Sequence, residues 1–367
     1  MPAGTVTLAV SPGAAVFGAP VMLTATVAPP AATGKVTFYD GTTVLGTSTI
    51  SGGTASLSTM MLPAGTRALR ARYAGDGATS NVIQYVVTAN PSFSFSSALA
   101  RPDSCCGAIA AADFNGDGKA DLAMLAGEAI QILPGNGDGT FQPAISHSLG
   151  AFPSAVAVGD FNGDGKPDLA VAFADGNSLR ILPGAGDGTF ADGATYATGI
   201  FPIGIVVADC NGDGNTDLAV ANSNGHSVSI LAGNGDGTFQ ARVDYTISNF
   251  AYSLAAGDFN RDGKVDLVVG SAFGYAFTLL GNGDGAFQAP VLRLTGNQGS
   301  AVAVGDFNAD GSPDLAIVNT MDNTVSILIG HGDGTFLAQV VYPIGSNSQA
   351  IILSDFDGDG RIDLAIP

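Results

Sequence analysis

The sequence has no tryptophan, a single glutamate (Glu128) and only 13 lysines and arginines in 367 residues, set against 31 aspartates and a net charge of −19. So few cations exclude a nucleic-acid-binding face, which needs a basic footprint to meet phosphates, and the same balance repels an anionic membrane surface. No apolar run reaches the roughly 18 residues of a membrane-spanning helix, and no sustained 3.6-residue apolar period stands out, so insertion into a membrane is not expected. The three cysteines, Cys105, Cys106 and Cys210, are too few and too irregularly spaced for a disulfide framework or a thiolate metal site. The three histidines, His147, His226 and His331, are isolated from one another and suggest neither a triad nor a metal cluster, so the chain does not read as an enzyme. The opening MPAGTVTLAV lacks a basic segment followed by an apolar one, so no signal peptide is read, and the expectation is a piece of a longer chain.

The shortage of glutamate points to geometry, because a merely solvated acidic face draws on both carboxylates. The aspartates concentrate in a nine-residue motif: DFNGDGKAD from Asp113, DFNGDGKPD from Asp160, DCNGDGNTD from Asp209, DFNRDGKVD from Asp258, DFNADGSPD from Asp306 and DFDGDGRID from Asp355. Successive copies start 47, 49, 49, 48 and 49 residues apart, which marks one structural unit copied in tandem. A second motif follows each of the first five: GNGDGTF from Gly135, GAGDGTF from Gly184, GNGDGTF from Gly233, GNGDGAF from Gly281 and GHGDGTF from Gly330. Between motifs lie short or alternating apolar runs of strand length, about four per period. With 52 glycines and 46% hydrophobic residues, the chain reads as all-β, its repeats having the content of four-stranded propeller blades.

Within each nine-residue loop, like charges repel unless something positive sits among them. Oxygen donors at positions 1, 3, 5, 7 and 9 suit a hard cation of calcium size. The donors are Asp113, Asn115, Asp117, Lys119 and Asp121 in loop 1; Asp160, Asn162, Asp164, Lys166 and Asp168 in loop 2; and Asp209, Asn211, Asp213, Asn215 and Asp217 in loop 3. Loop 4 offers Asp258, Asn260, Asp262, Lys264 and Asp266; loop 5 offers Asp306, Asn308, Asp310, Ser312 and Asp314; loop 6 offers Asp355, Asp357, Asp359, Arg361 and Asp363. Position 7 contributes its backbone carbonyl, and glycine at position 6 permits the sharp turn. Position 12, where a helix–loop–helix calcium site needs glutamate, is apolar: Met124, Val171, Val220, Val269, Ile317 and Ile366. The loop therefore joins two strands, and position 9 is expected to close the shell. The alternative is a hairpin of Asx turns that binds nothing. Six Ca²⁺ ions would bring the net charge from −19 to −7. The single carboxylate of the second motif, as in Gly186-Asp187-Gly188-Thr189-Phe190, reads as a tight turn anchored by its phenylalanine.

The two motifs in this order and spacing resemble the FG-GAP/VCBS repeats of integrin-α-type β-propellers, over residues 91–367. The resemblance implies four-stranded blades with Ca²⁺ in hairpin loops at the blade edges. The family's propellers usually close with seven blades, whereas five complete repeats and a partial sixth are found, and Cys210 replaces the phenylalanine seen at Phe114, Phe161, Phe259, Phe307 and Phe356. An unclosed ring would expose strand edges that pair with other chains, so self-association or fraying near 355–367 is expected. The alternative is closure with Ser92–Ala98 supplying an outer strand.

Residues 1–90 lack both motifs. Strands are read at TVTLAV, PVMLTATV, KVTFYD, TVLGTSTI, TASLS, RALRARY and VIQYVV, which suggests a β-sandwich. VTFYDGTTVLG and LPAGTRALRARYAGD resemble bacterial Ig-like domains of exported proteins. The expected protein is a secreted or surface-displayed bacterial scaffold or adhesion module that meets a protein or glycan ligand on its propeller face. A lectin-like propeller is the alternative: tryptophan is missing for stacking on sugars, but Tyr196, Tyr252, Tyr275 and Phe152 are present.

Overall fold

A computed structural model describes residues 4–16, 19–59, 62, 64–88, 108–357, 359 and 361–367. These residues contain strands and turns and no helix. Ser92–Ala98, Cys105 and Cys106 lie outside the described residues.

The first unit is a two-sheet sandwich. Strands β1 (Thr5–Ser11), β3 (Val21–Ala28) and β6 (Thr54–Thr59) form one sheet. The other orders β2 (Ala15–Val16), β8 (Ile83–Thr88), β7 (Gly65–Tyr73), β4 (Lys35–Asp40) and β5 (Thr43–Thr49). Alternation along β3 sends Val21, Leu23, Ala25 and Val27 inward, where they meet Val36, Phe38, Leu69 and Tyr85 in a continuous core. The seven expected strands are present, and the short β2, which pairs in parallel with β8, is an eighth. Strand β4 departs from alternation: Val36 to Asp40 are all buried, because its second face is also covered, by the repeats described next.

Each complete repeat is an antiparallel four-stranded meander. In the second, the strands are Ala155–Gly159, Asp168–Phe173, Ser178–Leu182 and Thr195–Ala197, with Gly159 opposite Asp168 across the loop. The second strands of repeats 2 to 5 are buried at every residue, which explains why DLAVAF reads as a continuous apolar run rather than an alternating one. Blades 2 to 4 each pack on both neighbours, so the core is divided among blade interfaces. The flanking sheets differ. The strand Asp121–Ala126 alternates buried with half-buried residues, and the last sheet pairs only Ile352–Ser354 with Asp363–Ala365.

Candidate metal centre

The six acidic loops all connect the first strand of a blade to the second, which places them at one end of the sheets. Loop 2 shows the local logic. Asp160 accepts the N–H of Asp164 on Oδ1 (3.1 Å) and that of Gly165 on Oδ2 (3.0 Å), Asn162 Oδ1 accepts Asp164 N–H (2.8 Å), and Asp164 Oδ1 accepts Lys166 N–H (2.9 Å). The same contacts recur in loops 1, 3, 4 and 5. Position 6 lies in the left-handed region in each of these (Gly118, Gly165, Gly214, Gly263 and Gly311, φ between 78° and 90°), where a side chain would be strained. The backbone N–H groups thus fix the carboxylates and amides of positions 1, 3 and 5 in a shared concave loop.

Position 9 has an additional duty that the sequence did not reveal. Asp168 is fully buried; its Oδ2 accepts the Phe161 N–H (3.0 Å) and its Oδ1 the N–H of Gly184, the first glycine of the second motif (2.8 Å). Asp121, Asp217, Asp266 and Asp314 brace the two motifs of their own repeats in the same way. Burial, the largest cause, outweighs these hydrogen bonds, and the carboxylates at positions 1 and 5 add repulsion. Asp168 and Asp266 are pushed up to about 6 and Asp217 to about 7.

The second motif closes the circuit between blades. Asp187 accepts both the N–H and the hydroxyl of Thr189, forming a tight turn. The turn then reaches the preceding blade's acidic loop: Gly188 N–H donates to the Phe114 carbonyl at 2.9 Å, as Gly237 does to Phe161 and Gly334 to Phe259. Phe190, Phe239 and Phe336 set their rings edge-on to Phe114, Phe161 and Phe259. Where Cys210 stands, the corresponding hydrogen bond from Gly285 lengthens to 3.3 Å. Fixed spacing between the motifs follows from this blade-to-blade contact.

The loops differ in what surrounds them. Lys119 and Lys264 pair with Asp117 and Asp262 at the surface (3.5 and 3.3 Å). Arg261 of loop 4 reaches across to loop 5, where its Nη2 meets the Asp310 carbonyl (3.1 Å) and the Ser312 hydroxyl. In loop 6, carboxylate oxygens of Asp355, Asp357 and Asp363 lie within 4.8 Å of one another. Loops 2 and 3 meet the sandwich instead. Thr47 donates to Asp160 Oδ2 (2.8 Å), Tyr39 to Asp209 Oδ2 (2.6 Å), and Thr37 to the Gly214 carbonyl. No sequence motif marks Tyr39, Thr47 or their neighbours as loop partners.

Two family models match. Residues 6–90 match a bacterial Ig-like domain (group 3), and overlapping matches to the FG-GAP-like repeat cover 113–171, 160–220, 209–269, 262–317 and 306–366. The chain belongs to the FG-GAP-like repeat family. Its FG-GAP repeats follow the Ig-like domain in the order the sequence suggested. Among solved structures, the Pseudomonas aeruginosa periplasmic gluconolactonase is similar at 13% identity and TM-score 0.51, covering 91% of this chain and all of that one. An Agrocybe aegerita lectin specific for non-reducing terminal N-acetylglucosamine has 17% identity and TM-score 0.48 over 90% of this chain and 94% of its own. The gluconolactonase likeness speaks of the propeller-like fold alone. No curated protein sequence matches, and no helix among the described residues is long and apolar enough to cross a membrane.

The donor set fits a hard divalent cation. It is all oxygen, it carries three aspartates in each of loops 1 to 5 and four in loop 6, and glycine holds the turn that wraps them.

Proposed function

We propose that the chain is a calcium-stabilised extracellular interaction module, in which cation-filled loops lock the blades and the opposite end of the sheets meets a protein or cell-surface ligand. The observation that carries this is the repetition of one oxygen-lined loop, with conserved internal hydrogen bonds, at the same end of every complete blade. Positions 1, 3 and 5, the position-7 carbonyl and the remaining lone pairs of position 9 would hold Ca²⁺, which would supply the positive charge these loops lack. Ig-like and FG-GAP repeat domains are typical of extracellular proteins. The gluconolactonase likeness is one of fold, and FG-GAP repeats are usually non-enzymatic.

A carbohydrate ligand is the second reading, favoured by an aromatic cluster at the end away from the acidic loops. Phe250 stacks on Tyr252 (6.3 Å, 17°) beside His226 and Phe273, and Phe273 is 67% exposed with φ of 56°. Phe152 is also exposed there. Tyr196 is instead committed to packing, since its hydroxyl takes the Phe239 N–H and its ring meets that phenylalanine edge-on; Tyr275 packs against the core between blades 3 and 4.

Thermal unfolding with 1 mM Ca²⁺ and with excess chelator tests the calcium reading. For a Kd of about 0.1 mM each site adds about 1.4 kcal/mol, so six add on the order of 8 kcal/mol. Chelation is expected to lower the Tm by roughly 10 °C; an unchanged Tm would overturn the proposal. A glycan array separates the two ligand readings.

A further inference from the structure

Loop 3 is covered by the outer face of the β4–β5–β7 sheet, which also touches one side of loop 2 while leaving Asp164, Gly165 and Lys166 exposed. Lys35 Nζ donates to the carbonyls of Asn162 (3.0 Å) and Gly235 (3.2 Å). At loop 3 the cover is closer. Tyr39 OH donates to Asp209 Oδ2, which already accepts the Gly214 N–H (3.0 Å), while Oδ1 accepts the Asp213 N–H. The Arg72 guanidinium stands 3.8 Å from the same Oδ2. Its Nη1 is buried without a hydrogen-bond partner, and a Cβ at Gly214 would meet that nitrogen at 3.4 Å. Asp209 is left 7% exposed.

We infer that the Ig-like sandwich and a divalent cation compete for loop 3, so that Arg72 and Tyr39 act as a tethered substitute for the ion and cation uptake there loosens the sandwich from the repeats. The inference rests on the calcium reading above. Both lone pairs of Asp209 Oδ2 are already engaged, by Tyr39 and by Gly214. A cation entering the loop must share that buried carboxylate with a guanidinium of like charge at close range. Among the described residues loop 4 takes no hydrogen bond from the sandwich; Asp258 lines a cleft of about 540 Å³ that it shares with Arg67 and Arg70. Coupling between two binding events is reciprocal: whatever affinity the docked sandwich removes from loop 3, an ion in loop 3 removes from docking.

Calorimetric Ca²⁺ titration of the whole chain and of two variants decides it. Tyr39→Phe keeps the buried ring and deletes only the hydroxyl, and Arg72→Gln removes the charge. Each is expected to raise the affinity of one site about five-fold or more and to leave the others unchanged, and the gain should vanish when Asp209→Asn is added. Small-angle scattering of the wild type should show a larger radius of gyration in saturating Ca²⁺ than in chelator. Equal or weaker uptake by both variants, with calcium still bound elsewhere, overturns the competition alone. No binding heat from wild type or variants overturns the calcium reading and this inference with it.

Discussion

Loops 3 and 4 carry the same nine-residue pattern and the same internal hydrogen bonds, yet they sit in different surroundings. In loop 4 the position-1 carboxylate of Asp258 is half-buried and held by the N–H groups of Asp262 and Gly263. In loop 3 the equivalent Asp209 also takes the Tyr39 hydroxyl and lies near Arg72. At position 2, Phe259 sets its ring edge-on to Phe336 of the next blade, whereas Cys210 offers Phe287 no ring, and Phe287 keeps the edge-on contact with Tyr245 that Phe239 also makes with Tyr196. A local motif therefore fixes the backbone cradle, and the neighbours decide how its charge is balanced.

The largest effect expected on this pair comes from position 9, where both loops should respond alike. Asp266→Ala and Asp217→Ala each strand two buried backbone N–H groups, of Phe259 and Gly281 in one loop and of Cys210 and Gly233 in the other. Each variant should lose about 4 kcal/mol in urea unfolding, in chelator as well as in calcium. Asp258→Ala should instead cost little in chelator and, in calcium, about the 1.4 kcal/mol that one site adds. A loss that disappears in chelator for the position-9 variants would mean these aspartates act through the ion and do not brace the motifs.

Position 2 should split the two loops. Removing the buried Phe259 ring leaves a cavity between blades 4 and 5, so Phe259→Ala should cost about 3 to 5 kcal/mol, and Cys210→Ala, which removes a single sulfur, about 1 kcal/mol. Equal losses by denaturant titration would show that the edge-on ring contact adds nothing to blade adhesion.

The two loops should also separate in pH. Burial holds Asp266 up near 6 and Asp217 near 7, above the unfolded carboxylate value of about 4. A raised folded pKa gives stability that is fully present below the unfolded value and is lost as pH rises through the folded one. In chelator the Tm should therefore fall between about pH 4 and pH 7, with loop 3 extending the decline to the higher end. Asp217→Asn should flatten that upper part, and a decline left unaltered would place the titration elsewhere.

Much of this molecule is legible one repeat at a time. The nine-residue loop, its left-handed glycine at Gly165 and the tight turn at Asp187 are dictated within a few residues, because Asx-type hydrogen bonds and positive φ are local properties. Tandem spacing near 49 residues and buried runs such as DLAVAF follow from blades that pack on two neighbours. The sandwich strands were readable too, apart from the two-residue β2, too short to carry a pattern, although the burial of β4 on both faces was not.

What the tertiary structure decided is which chemically similar groups meet. Six loops look interchangeable in the sequence, but Arg261 joins loop 4 to loop 5, Thr47 finds Asp160, and Tyr39 and Arg72 close on Asp209. These partners lie 49 to 170 residues apart, and no periodicity connects a strand of the sandwich with a loop of the third blade. The same holds for position 9: its acidity was evident, but its bracing of two motifs depends on a strand returning past it. Local physics sets the shape of each loop, while long-range packing sets its electrostatic surroundings.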